Sequence, residues 1–151
     1  MIGVGNRWRG DDAAGLEVAE LLRGTLPGGV EVLEREGEPI DLIDAWQGAD
    51  AVWVADAVSS GSPAGTLYRL DAHEHELPVE LFRGSTHHLG LADAVELART
   101  LDRLPPRAVV YGVEAASFAP GLGLTPAVRD GVTEVAHRIR AEVAGCLGDP
   151  A

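Results

Sequence analysis

The stretch that most constrains the fold is a run of five apolar residues, Ala51-Val52-Trp53-Val54-Ala55. A strand with one face in water alternates apolar and polar residues, and this run does not alternate. It therefore predicts a central strand covered on both faces, with Asp56 at its end. Such strands are typical of parallel sheets that carry helices on both sides. The sequence thus predicts an α/β fold.

Strand and helix patterns alternate along the rest of the chain, which favours a largely parallel sheet. Further strands are predicted at 1–4, 30–33 and 107–113. Helices are predicted over about 14–22 and 39–47, from near Ser85 or Thr86, and from Thr125-Pro126 onward. The strand at 66–70 follows the 51–55 strand too closely to leave room for a crossover helix. It is therefore predicted to be antiparallel.

The charge balance limits the expected partners. The chain has 24 acidic and 12 basic residues, a formal net charge of −12. No basic cluster could neutralise a run of phosphates, so we expect neither nucleic acid nor a membrane as partner. Its 151 residues are enough for one domain, 1–151. The single cysteine, Cys146, and the absence of a signal or membrane-spanning pattern predict a soluble cytoplasmic protein.

The segment "GVGNRWRGDD" at 3–12 begins like a dinucleotide-binding loop. Such a loop needs a third glycine, and here Trp8 occupies that place. Asp11 and Asp12 then stand where a pyrophosphate would have to lie, and their charge would repel it. The loop is therefore predicted to hold something positive. The structural alternative is that one aspartate caps the following helix while the other is solvated.

Asp56 and a pair of histidines are two further candidates, and Asp56, like Asp12, follows a strand at the carboxyl edge of the sheet, where ligands collect in α/β folds. Asp56 follows the buried strand, where a carboxylate is costly unless it is paired, hydrogen-bonded or metal-bound, or merely opens a turn. His87 and His88 begin the next helix pattern, so at most one faces the cleft, and both could simply be exposed. Asp12, Asp56 and one imidazole would suit a divalent ion with an open coordination position.

Two other candidates are set aside. His73 and His75, in "DAHEHE", follow a predicted edge strand and are interpreted as part of a solvated loop. Cys146 is interpreted as a structural thiol, since it lies far along the chain from every histidine pair. No G-x-S-x-G elbow is present, so serine chemistry is not predicted.

Four stretches together resemble the hydrogenase maturation endopeptidases, which remove a C-terminal extension from the large-subunit precursor of nickel–iron hydrogenases. The stretches are "GVGNRWRGDDAAG" (3–15), "VADAV" (54–58) followed by "PAGTLYRLD" (63–71), "STHHLGLADAVELA" (85–98), and "VVYGVEAASFAPGLGLTPAV" (109–128). The resemblance implies a three-layer fold, with a twisted five-stranded, mostly parallel sheet between helices.

The resemblance also implies the site. The family's nickel-binding residues match Asp12, Asp56 and His87, whereas His88 falls on a variable position. The nickel would arrive in the precursor, so no resident organic cofactor is expected, and the protein is expected to be a monomer. Glu34 matches an acidic residue implicated in substrate binding, although an exposed strand-end acid would look the same. Glu114 receives no role, because Ala115 replaces the proline that often follows it.

Two other functions remain open on sequence grounds. The same ligands would serve a non-catalytic nickel-sensing chaperone of the precursor. Peptidyl-tRNA hydrolases also open with a "GLGNPG"-like stretch, but the acidic charge disfavours a tRNA substrate.

Overall fold

A five-stranded sheet forms the middle layer of the computed structural model, which describes residues 1–82 and 90–148. The strands lie in the order β2-β1-β3-β5-β4. The first four are parallel, and β4 pairs antiparallel with β5 at the edge. This confirms the predicted fold and the predicted direction of β4. The strands are β1 (Ile2–Val4), β2 (Leu33–Arg35), β3 (Ala51–Val58), β4 (Leu67–Asp71) and β5 (Arg107–Glu114).

Helices cover both faces of this sheet. A short 3-10 helix (Gly10–Ala13) leads into α1 (Ala14–Leu22), and α4 (Pro126–Gly148) lies with α1 on one face. The other face carries α2 (Pro39–Trp46) and α3 (Leu91–Thr100). In 1–82 and 90–148, no helix combines the length and the apolar character that crossing a bilayer requires.

The central strand β3 contributes to both hydrophobic cores. Val52, Val54 and Val58 pack in the core under α2 and α3. Trp53, Ala55 and Ala57 pack in the core under α1 and α4. Because successive side chains of a strand point to opposite faces, an unbroken apolar run is what two covered faces require.

The predicted bounds of β2 are wrong. β2 spans Leu33–Arg35 rather than 30–33, because it pairs with β1, which has only three residues and places Ile2 opposite Leu33. α3 begins at Leu91, and its N-cap residue Gly90 has an extended backbone (φ −139°, ψ −159°). The predicted start at Ser85 or Thr86 lies outside the described residues.

A carboxylate on α4 ties this helix to the sheet. Glu142 accepts hydrogen bonds from the hydroxyl of Tyr111 on β5 and from Nη2 of Arg69 on β4, the latter at 2.5 Å. Burial, and then the bond to Glu142, raise the pKa of Tyr111 to about 12. Burial opposes ionisation of Glu142, but the bonds from Arg69 and Tyr111 outweigh it and lower the Glu142 pKa. The sheet edge and the long helix are therefore joined by a charged contact.

Candidate active site

The carboxyl ends of β1, β3 and β5 meet at one edge of the sheet, and this edge carries the candidate site. In the described part of the chain, the buried charged side chains are all carboxylates: Asp11, Asp12, Asp56 and Glu114, each at most 7% exposed. A buried carboxylate is costly unless hydrogen bonds or a cation compensate. The partners of each acid therefore indicate what it does.

Asp56 lies inside β3, on the face of the sheet that carries Val54 and Val58. The prediction that Asp56 ends the strand is wrong. β3 pairs with β5 over eight residues, and Asp56 lies opposite Gly112, so the ladder continues to Val58. The amide of Ala57 donates to its Oδ1 at 2.8 Å. Asp56 is thus held by a strand rather than by a turn.

The pKa of Asp56 lies well above the usual value for an aspartate. Burial is the main cause, and the negative charge of Asp12 is the second; the bond from Ala57 acts in the opposite direction. Asp12 therefore lies near enough to Asp56 for the two charges to interact. The structure brings together two of the three predicted site residues.

Asp12 reaches this edge on the 3-10 helix, which packs against β3. Its amide donates to the carbonyl of Arg9 at 3.1 Å. Gly5, with φ +157°, permits this approach, since a Cβ at that position would lie 2.0 Å from the Asp12 carbonyl oxygen. The second glycine of the "GVG" stretch thus makes room for the segment that carries Asp12, not for a phosphate.

Asp11 does not fit the structural alternative, in which one of the two aspartates caps the following helix and the other is solvated. It is 1% exposed and caps neither the 3-10 helix nor α1. Its carboxylate accepts hydrogen bonds from the amides of Ala116 (2.8 Å), Ser117 (3.1 Å) and Thr125 (2.8 Å), and from the Thr125 hydroxyl. Asp11 therefore fastens the segment after β5 to the segment that carries Asp12.

Glu114, for which no role was predicted, is a second fastening point. It is 2% exposed and accepts hydrogen bonds from the amide and hydroxyl of Ser60 and from the hydroxyl of Tyr68. These bonds hold the loop between β3 and β4. The argument applied to Asp56, that a carboxylate following a buried apolar strand needs a partner, could also have identified Glu114.

Glu34 lies within β2 and is paired with two arginines. Its Oε1 lies 2.7 Å from Nη2 of Arg7, and its Oε2 lies 2.8 Å from Nη2 of Arg23. The side chain is 27% exposed, so solvent screens these pairs only in part. Its role in substrate binding stays a prediction.

The predicted histidine ligand, His87, and its neighbour His88 lie outside the described residues. Of the histidines set aside earlier, His73 has its Nε2 2.7 Å from the carbonyl of Pro105. Among residues 1–82 and 90–148 there is no group of three or more His, Cys, Asp or Glu side chains that could hold a metal ion. The third metal ligand, beside Asp12 and Asp56, therefore stays a prediction.

The family model for hydrogenase maturation proteases matches residues 16–142 of this chain. The chain belongs to the hydrogenase maturation protease family. It is therefore a peptidase. Hydrogenase 2 maturation protease of Escherichia coli (strain K12) is 35% identical over 133 residues, covering 85% of this chain and 79% of that protein.

Solved structures of maturation endopeptidases share the fold. An endopeptidase from Escherichia coli superposes with a TM-score of 0.81 at 28% identity, covering 97% of this chain and 91% of that one. The hydrogenase maturating endopeptidase HybD from E. coli superposes with a TM-score of 0.76 at 27% identity, covering 96% of this chain and 91% of that one.

Proposed function

We propose that this maturation protease removes the C-terminal extension of a nickel–iron hydrogenase large-subunit precursor, and that Asp12, Asp56 and His87 bind the nickel already inserted in it. One observation carries the proposal. Asp12 and Asp56 are both buried at one sheet edge, and burial first, then the charge of Asp12, raise the pKa of Asp56. Two like charges held out of water repel each other, and a cation between them would remove that cost.

The nickel ion belongs to the substrate in this proposal. Two carboxylate oxygens and one imidazole nitrogen make a ligand set that suits a divalent ion and leaves coordination positions free. The assignment of His87 as a nickel ligand rests on the sequence motif. A precursor without nickel would bring no cation to offset the repulsion between the two acids. It should therefore bind less well, so cleavage would report that nickel has been inserted.

Hydrolysis of the scissile peptide bond adds a water oxygen to the carbonyl carbon, breaks the C–N bond and delivers a proton to the leaving nitrogen. Two routes use these residues. The substrate's nickel polarises the scissile carbonyl, or Asp56 takes the proton from the attacking water as general base.

The test uses the precursor in nickel-loaded and nickel-free forms, with loss of the C-terminal tail followed by mass spectrometry. We expect cleavage of the loaded form alone. Equal cleavage of both forms would remove nickel sensing from the proposal. If neither the loaded form nor the nickel-free form is cleaved, the choice of substrate is contradicted.

Variants at two predicted ligands, with two variants for comparison, test the assignment of the ligands. Asp56→Asn and His87→Ala should each lower the cleavage rate by about a hundredfold or more, since each removes a group that contacts the ion. Asp130→Asn, which neutralises an exposed aspartate on α4, is the matched control and should cleave normally. An inactive His88→Ala together with an active His87→Ala would transfer the role to His88.

A further inference from the structure

The border of the candidate site carries two exposed apolar side chains. Leu122 is 69% exposed and Trp8 is 66% exposed, which makes them the most exposed of the large hydrophobic residues in the described part of the chain. Trp8 lies in the loop between β1 and Asp12, and Leu122 lies in the segment between β5 and α4. Both segments lie at the edge of the sheet where Asp12 and Asp56 meet.

These two segments are joined by their backbones. The amide of Gly121 donates to the carbonyl of Trp8 at 2.9 Å, and the amide of Gly10 donates to the carbonyl of Gly121 at 3.0 Å. Arg9 and Gly121 form a parallel β-bridge. The two exposed side chains therefore come from one continuous piece of backbone structure, although more than a hundred residues separate them in sequence.

The turn that presents Trp8 is itself held in place. Oδ1 of Asn6 accepts a hydrogen bond from the Trp8 amide at 2.9 Å, and the Asn6 carbonyl accepts one from Arg9. The Asp12 amide then donates to the Arg9 carbonyl, so Trp8 and the acid belong to one hydrogen-bonded loop. Because Asp11 fastens the same loop to the segment after β5, little backbone freedom remains to be lost when a partner binds.

We propose that Trp8 and Leu122 form an apolar platform that binds side chains of the substrate polypeptide beside the scissile bond. The proposal rests on the proposed placement of the active site at Asp12 and Asp56. Rigidly held aromatic residues at the rim of a site are typical binding anchors. Together the two side chains offer about 300 Å². That area suits a few residues of a bound peptide and falls short of the roughly 800 Å² per partner of a stable dimer.

The structure provides a direct probe, because the chain has three tryptophans and only Trp8 is exposed. Trp46 and Trp53 are 2% and 4% exposed. Protease labelled with 5-fluorotryptophan would give three ¹⁹F resonances, and Trp8→Phe would assign that of Trp8. On titration with unlabelled nickel-loaded precursor that carries its C-terminal extension, we expect the Trp8 resonance to shift, and those of Trp46 and Trp53 to stay in place.

Two outcomes of the titration would overturn the platform. One is a Trp8 resonance that stays unchanged at saturating precursor, whether or not the precursor is cut. The other is a shift that appears when the protease alone is concentrated, which would show that a second copy of the chain covers the platform. If Trp8 shifts with precursor that is never cleaved, the platform stands and the proposed function fails.

Kinetics supply an independent measurement. Trp8→Ala and Leu122→Ala should each raise KM for the precursor about tenfold and leave kcat within about twofold, since they contact the substrate away from the reacting atoms. Leu147→Ala is the matched control, because Leu147 is 56% exposed near the end of α4, at the opposite edge of the sheet. Thermal unfolding should show all three variants folded. An unchanged KM in both platform variants would overturn the proposal.

Discussion

Buried carboxylates at the carboxyl edge of the sheet fall into two kinds. Asp11 and Glu114 are surrounded by amide and hydroxyl donors, so hydrogen bonds replace the water that they have lost. For Asp56, burial first and then the negative charge of Asp12 raise the pKa, and the hydrogen bond from the Ala57 amide offsets this only in part. The hydrogen bonds of the first pair stabilise the native state, whereas ionisation of the buried Asp56 lowers its stability.

Asp11→Asn tests the first kind. The substitution removes the charge and replaces one acceptor oxygen with an NH₂ group, so either the Thr125 amide or the amides of Ala116 and Ser117 lose their acceptor. We expect the free energy of unfolding to fall by about 3 kcal/mol in chemical denaturation. Asp130→Asn, at an exposed position, should change it by less than about 0.5 kcal/mol. If Asp11→Asn unfolds at the same denaturant concentration as the wild type, Asp11 does not stabilise the fold by joining the two segments.

Asp56→Asn tests the second kind, in the metal-free protein. A folded-state pKa above the unfolded value means that the native state of the wild type loses stability as pH rises from about 4 through that raised pKa. Asparagine has no such titration, and its carbonyl can still accept from Ala57. We therefore expect the variant to be more stable than wild type by about 1 kcal/mol or more at pH 7.

That stability difference should shrink as the pH is lowered toward 4. Denaturant unfolding at both pH values measures it. A variant less stable than wild type at pH 7 would show that the carboxylate of Asp56 is structural.

At the scale of elements, α1 approaches the sheet unusually closely. A Cβ on Gly15 would lie 2.2 Å from the carbonyl oxygen of Ala55 and 2.3 Å from that of Val4, and a Cβ on Gly3 would lie 2.2 Å from the Gly15 oxygen. The start of α1 therefore lies directly on β1 and β3, which brings the 3-10 helix and Asp12 to the end of β3. Gly15 permits the close helix–strand packing that the third glycine permits in a dinucleotide-binding loop, whose position is occupied here by Trp8.

Gly15→Ala should separate α1 from the sheet. Because the added methyl group meets backbone atoms on both strands, it cannot be relieved by a side-chain rotation, and we expect a loss of at least about 3 kcal/mol in the free energy of unfolding. Gly28→Ala is the control, since a Cβ there meets nothing within 4 Å. Equal unfolding midpoints for the two variants would contradict the close packing. Circular dichroism during denaturation measures both.

At the scale of the whole molecule, the charge is strongly unbalanced. The formal net charge of −12 arises from 24 acidic against 12 basic residues, and several of the arginines are already paired with glutamates at the surface. The remaining acids repel one another in the folded state, and salt screens such repulsion. The folded protein should therefore be more stable in salt than in dilute buffer.

We expect the melting temperature at pH 7 to rise by a few degrees between about 10 mM and 500 mM sodium chloride, as the screening length shortens severalfold. Scanning calorimetry of the metal-free protein measures this. Sodium chloride is preferable to sulfate, because sulfate also strengthens apolar burial. A melting temperature that falls with salt would mean that the ion pairs outweigh the repulsion.

The sequence by itself determined the α/β class, the antiparallel β4 and the two covered faces of β3. It also determined the starts of α2 and α4 at Pro39 and Pro126. These features depend on the spacing of apolar residues and on turn residues that lie within a few positions of one another. They can therefore be predicted from short stretches of sequence. The cost of a carboxylate beside an apolar strand was also enough to single out Asp56. The resemblance of four stretches indicated the family that the comparisons then showed.

Only the tertiary structure decided which of the adjacent acids fastens the fold and which acts by its charge on Asp56. The partners of Asp11 lie 105 to 114 residues away, and Glu114 reaches Ser60 over 54 residues. No local pattern contains such contacts, because they arise when the strand order places the ends of β1, β3 and β5 side by side. The strand order also brings the Trp8 loop beside Gly121. The proposed platform of Trp8 and Leu122 could therefore be found only in the folded chain.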